Sequence, residues 1–243
     1  MSDLRAIDKI ALYGAPDRVT DALQDVLLER GLQVVVIVDD PTDIAARPGL
    51  AAKSGTPFQA DSVARSVAGM DAVIVVLNSR QLRVEGFERT YDAIIALLEG
   101  LPTAGVERLL LIGEHSWLDR DDGLPAEKLE HLQHSLHKSP LAWTLVDAPR
   151  HGSNEPGGPL KNVGEAANAR REQAKKRSLH AVNEHFEPAL NAAMATQVVF
   201  QQPANAIITL QHYACSVIDQ CLQGTSVKQR LHVDPRPQAE EAP

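Results

Sequence analysis

Aromatic residues are scarce, cysteines number two, and no apolar stretch is long. With 4% aromatic content, a core of this chain must be built from Leu, Val, Ile and Ala. The cysteines, Cys215 and Cys221, stand six residues apart, which places them on different faces of one helix at about 100° per residue. That geometry argues against a disulfide between them; both read as small buried hydrophobes, and a reducing, cytoplasmic setting is expected. No apolar run approaches the roughly 20 residues that cross a bilayer, and Met1 to Arg5 shows no secretory signal. Positive charge is also lacking: a formal net charge of -8 argues against broad nucleic-acid binding, which needs a concentrated basic face.

The chain has 243 residues and 44% hydrophobic content, enough for one sizeable core. Its organising stretch is 9–20. A short apolar run ends at Gly14, and Val19, Leu23, Val26 and Leu27 then recur at helical spacing until Gly31. A second apolar run, 32–38, ends in Asp39-Asp40-Pro41. Strand, tight turn, helix and strand form the opening unit of a dinucleotide-binding fold. Where a phosphate-cradling turn shows three glycines, this chain has Gly14, Asp17 and Thr20.

Further along, 56–61 reads as a brief strand, with Ser62 as the cap of a following helix. The run 72–77 is continuously apolar, as in a strand covered on both faces. A helix is expected over 91–98, stopped by Gly100 and Pro102. Strands follow at 106–112 and 141–146, around a helix over 126–136 that Pro125 can start. After Arg150 come a Gly- and Pro-rich loop, a charged helical stretch around 170–177, apolar runs at 197–200 and 206–209, a helix from Leu210 to Gly224 and a short strand at 231–233. The expected fold is α/β: a Rossmann-like, mostly parallel sheet in three layers with a small helical lobe. One domain is expected over 1–233, with 151–195 as a helical insert and 234–243 as a flexible tail.

At the Gly14 turn the helix start offers unpaired amides and a positive dipole end, an anion site by nature. Asp17 either occupies that end as a cap or lies beside a dinucleotide phosphate, and Arg18 offers a compensating charge. Asp39 stands where an acidic group bonds an adenosine ribose and repels a 2′-phosphate unless Arg47 intervenes, so NAD is favoured over NADP if either binds. Asp61 and Asn78 are read as further strand-end groups at the cofactor edge. His115 and Ser116 follow a strand at the same edge, where they could orient or protonate a carbonyl. No third group completes a hydrolase triad. None of Tyr13, Tyr91 and Tyr213 has a lysine four positions on, so a phenol–ammonium pair on one helix face is missing. Glu127, His131, His134 and His137 lack a zinc spacing, and no metal is expected.

Together, 9–15, 36–41, Asp61-Ser62, 68–74, 105–113, 141–146 and 208–214 resemble the NmrA-like branch of atypical short-chain dehydrogenase/reductases. The family's Gly-Ala-Thr-Gly-x-x-Gly falls on residues 14–20, where only Gly14 remains. Many NADP-binding relatives carry Arg where Asp39 stands, and His212 occupies a position usually held by Asp. The resemblance implies NAD(P)-binding oxidoreductases or cofactor-sensing regulators. Two readings follow: a non-catalytic regulatory or partner-binding protein, which admits a protein partner or a homodimer, or an NAD(P)-dependent oxidoreductase acting on a small carbonyl, quinone or flavin-like substrate. The cofactor is accordingly none or NAD(P).

Overall fold

The computed structural model describes residues 7–14, 17–77, 87–113, 115, 125–149, 210–223, 227–231 and 233. The chain divides into two units, Met1–Pro149 with Thr196–Pro243, and Arg150–Ala195; every described residue belongs to the first. The lobe 151–195, the expected strands at 197–200 and 206–209, the tail, Asn78 and Ser116 all lie outside the described residues.

The elements are β1 (Lys9–Tyr13), α1 (Arg18–Glu29), β2 (Gln33–Val38), β3 (Leu50–Ser54), α2 (Ala60–Ser66), β4 (Ala72–Val76), α3 (Phe87–Thr103), β5 (Arg108–Gly113), α4 (Ala126–Lys138), β6 (Ala142–Asp147), α5 (Leu210–Gln223) and β7 (Gln229–Leu231). The strands form one seven-stranded sheet in the order β3-β2-β1-β4-β5-β6-β7, and every ladder is parallel. The chain order reverses between β1 and β4, the switch point at which open α/β sheets bind ligands beyond their carboxyl ends.

Alternation along the strands builds two cores. Ile10, Leu12, Val34, Val36, Ile74 and Leu110 face α1 and α5, packing on Leu23, Leu27, Val217 and Ile218. The alternate set, with Ala11, Tyr13, Val73, Val75, Leu109 and Leu111, is equally buried and faces the side of α2, α3 and α4. Both sheet faces are therefore covered, as an all-parallel sheet requires. The α1 stripe of Val19, Leu23, Val26 and Leu27 is buried. The helix ends in a Schellman motif, Leu32 N–H bonding to the Leu27 carbonyl at 3.1 Å and Gly31 N–H to the Leu28 carbonyl at 2.9 Å.

Four local expectations are corrected. The strand expected at 56–61 is a loop running into α2; the actual third strand, Leu50–Ser54, is a half-exposed edge strand whose pattern is correspondingly mixed. α2 starts at Ala60 with Gln59 in the cap position, and Ser62 instead accepts the Thr56 amide at 3.1 Å. α3 runs through both of its expected stop signals to Thr103. Gly100 is in the helix because α2 crosses there: a Cβ on it would lie 2.6 Å from the Ala60 carbonyl oxygen. The last strand closes at Leu231 rather than Val233.

Candidate functional site

β1 delivers the chain to Gly14, whose φ of 115° is open to glycine and strained for any side chain. The chain then enters α1, and Asp17 stands at its N-cap. Its carboxylate accepts the Val19 amide at 2.9 Å. Its carbonyl accepts the Asp21 amide at 2.8 Å and the Thr20 hydroxyl at 2.8 Å. Two of the positions where a dinucleotide turn has glycine thus carry side chains that satisfy the helix start from within. Burial and the neighbouring Asp17 and Asp25 carboxylates push the Asp21 carboxyl up, Arg47 offsetting them in part. Arg18 is the first residue of α1 and exposed.

A bridging diphosphate at this turn would meet a carboxylate already holding the Val19 amide. The like charges repel, and the donor that should bind phosphate is spent. Asp17 and Val19, as the described residues of this turn arrange them, therefore do not fit a diphosphate.

Asp39 follows β2 and is exposed. Beside it Asp40 caps a short 3-10 turn, Pro41–Asp43, its carboxylate taking the Thr42 amide at 2.9 Å and hydroxyl at 2.7 Å; these bonds hold the Asp40 carboxyl below its usual range. Arg47 is held by another carboxylate. It pairs with Asp25 of α1 at 2.8 Å and bridges to Leu50, the first residue of β3, so it belongs to the opposite edge of the sheet. Asp61 does not end a strand but sits exposed in the first turn of α2. Between the loop leading into α2 and the flank of α3 lies a cavity of about 540 Å³ whose lining includes Thr56, Phe58, Gln59, Arg89, Tyr91 and Asp92. The Arg89 guanidinium lies 4.4 Å above the Phe58 ring centre.

His115 follows β5 as expected but turns inward, with 1% of its surface exposed. Its Nε2 donates to the Leu111 carbonyl at 3.1 Å. Burial is the main cause that drives its pKa down to about 4, against the opposing pull of Asp147. The ring is a neutral part of the core rather than a proton donor facing solvent. Nearby, Arg230 of β7 donates to Asp147 at 2.9 Å, and the Tyr213 hydroxyl of α5 donates to the Asp147 carbonyl at 2.9 Å.

All three phenols are engaged within the protein. Tyr13 meets Ser66 at 2.7 Å, Tyr91 meets His131 Nδ1 at 2.8 Å, and Tyr213 holds Asp147. Burial pushes the Tyr13 phenol up to about 12 and raises Tyr213 as well, the wrong direction for proton transfer at neutral pH. The His131 contact also uses one candidate ligand of the α4 histidine row, and among the described residues no three His, Cys, Asp or Glu groups are placed to hold a metal. No described helix is long and apolar enough to cross a membrane.

Sequence reasoning missed Arg108, which begins β5 and is 2% exposed. Its Nη1 donates to the Ala142 carbonyl at 2.6 Å and to the Thr144 hydroxyl at 2.8 Å, while Nε and Nη2 reach the Cys221 and Gln220 carbonyls. The available signal is the charged pair Glu107-Arg108 near the head of the otherwise apolar run 106–112.

Solved structures share this architecture. The chain is similar to a Rossmann-fold NAD(P)-binding family protein from Shigella flexneri, at 11% identity and a TM-score of 0.57, covering 98% of each chain. It is similar to an oxidoreductase from Lactococcus lactis at 13% identity and TM-score 0.56, covering 94% of this chain and 91% of that one. A third is an anaerobillin reductase from Escherichia coli, at 16% identity and TM-score 0.53, covering 96% of this chain and all of that one, 100%. At such identities these likenesses speak for the fold. No curated protein matches the sequence. The family model described as NAD(P)H-binding matches residues 14–182, beginning at the glycine of the first turn. In agreement with the resemblance to NmrA-like atypical short-chain dehydrogenase/reductases, the chain belongs to this NAD(P)H-binding family.

Proposed function

We propose that this protein is a non-catalytic, regulatory or partner-binding member of its family, acting through a protein partner or a second copy of itself. One observation carries the reading: the Asp17 carboxylate sits on the Val19 amide, at the helix end where a dinucleotide's bridging phosphates bind. The inward-facing His115 and the three committed phenols support it, because each of these groups already has a hydrogen-bond partner within the protein. Two free cysteines, Cys215 and Cys221, support a reducing compartment, read as the cytoplasm.

Calorimetric titration with NADH and NADPH tests this reading. The protein gives no saturable heat with either, whereas Asp17→Gly, which removes the charge at small cost to the cap, gains at least about tenfold in affinity, the equivalent of about 1.4 kcal/mol. Saturable binding by the unaltered protein together with turnover of a carbonyl, quinone or flavin acceptor defeats the reading. That outcome is the oxidoreductase alternative, in which Ser116 and His115 orient the acceptor and Gly14, Arg18, Asp39, Asp61 and Asn78 hold the cofactor. It is favoured by the preserved φ of 115° at Gly14, and the acid at Asp39 then selects NAD over NADP.

A further inference from the structure

Tyr13 is the last residue of β1 and wholly buried. Its hydroxyl lies 2.7 Å from Ser66 Oγ at the end of α2. The Ser66 hydroxyl has one hydrogen, directed at the helix carbonyls of Ser62 at 2.8 Å and Val63 at 3.1 Å. The phenol is therefore the donor of the pair. Ser66 is also a junction, since its carbonyl accepts Lys53 Nζ from β3 at 3.2 Å. The ends of β2 and β3 are joined at the same level, the Gly55 amide bonding to the Val38 carbonyl at 3.0 Å. The phenol, raised to about 12 by burial, stays a donor across the physiological range.

We infer that Tyr13 is a positioning residue: its bond to Ser66 pins the end of β1, so that the Gly14 turn and the Asp17 cap keep the geometry that closes the anion position. Tyr13 is sealed from solvent, so it acts through its neighbour Gly14. The pin belongs to the sheet side of α2, whereas the turn it steadies leads into α1 on the other face. A merely stabilising bond would strengthen the whole domain. A pin protects the turn selectively.

Tyr13→Phe is a clean probe, because Ser66 keeps its helix carbonyls and no buried polar atom is stranded. Amide hydrogen exchange, followed residue by residue by NMR on the full chain, reads the effect. The Val19 and Asp21 amides, both bonded to Asp17, exchange about tenfold faster in the variant, while Leu97 in α3 and Leu111 in β5 change by less than about twofold. Equal acceleration at all four, or at none, overturns the inference. A second arm rests on the functional reading above: in the Asp17→Gly background, adding Tyr13→Phe weakens NADH binding about fivefold, and an unchanged affinity there also overturns it. If Asp17→Gly fails to bind NADH, the Asp17 argument for the functional reading falls while the exchange result still decides the role of Tyr13.

Discussion

Two helix ends in this molecule are completed by charged side chains, with opposite consequences. At the start of α1, Asp17 supplies the negative charge that the helix dipole favours. At the end of α5, Arg108 supplies the positive one, reaching the carbonyls of Gln220 and Cys221. Asp17 is half-buried and bonds within its own helix start. Arg108 is buried and comes from a strand, tying β5 and β6 to α5 through the Ala142 carbonyl and the Thr144 hydroxyl. The same pairing of charge and dipole completes a helix start in one place and joins layers in the other. Solvent and the origin of the side chain decide which.

Removing Arg108 should have the largest effect. Burial pulls its pKa down, Cys221 offsetting this in part, yet losing it takes a donor from the Cys221, Gln220 and Ala142 carbonyls and the Thr144 hydroxyl. Arg108→Ala is expected to cost about 4 kcal/mol in denaturant unfolding; a cost below that of the Asp17 variant would break the contrast between the two helix ends. His115 extends the comparison, as a second buried base held on the β5 side. Its pKa in the folded chain is about 4, lowered from 6.5, so between those values the unfolded chain binds the extra proton. Stability is full above about pH 6.5 and falls as the pH drops toward 4, by about 3 kcal/mol from this group. Unfolding at pH 7.5 and 4.5 should show that dependence, and His115→Gln should make it shallower. Asp17→Ala should show the smallest effect, about 1 kcal/mol, because water can take over the amide at a half-buried helix start.

The sheet was largely legible because both of its faces are covered, so β4 and β5 read as continuous apolar runs and α1 as a regular stripe ending at Gly31. The Asp17 cap was legible too, since a carboxylate directly before an amphipathic helix has one common use. What failed was set by tertiary contact. β3 is an edge strand with weak alternation, so the sequence after Pro41 is mixed and shows no strand there. Gly100 and Pro102 looked like stops, but the crossing of α2 over α3 demands a residue without a side chain at Gly100. His115 stands after a strand just as a catalytic group would, and nothing local says that its ring turns inward. Tyr13 was one more apolar strand residue until its hydroxyl met Ser66, more than fifty positions away.

An all-parallel ladder also shapes how the chain reaches this state. Among the described strands no two neighbours can meet through a tight reversal; each pairing waits for a crossover. Ile10 finds Ala72 only after β2, β3 and α2 have been made. Contacts of such long span slow folding, and a ribosome releasing this chain leaves the apolar flank of β1 uncovered until the second half of the sheet emerges, an interval in which a chaperone or an aggregate competes for it.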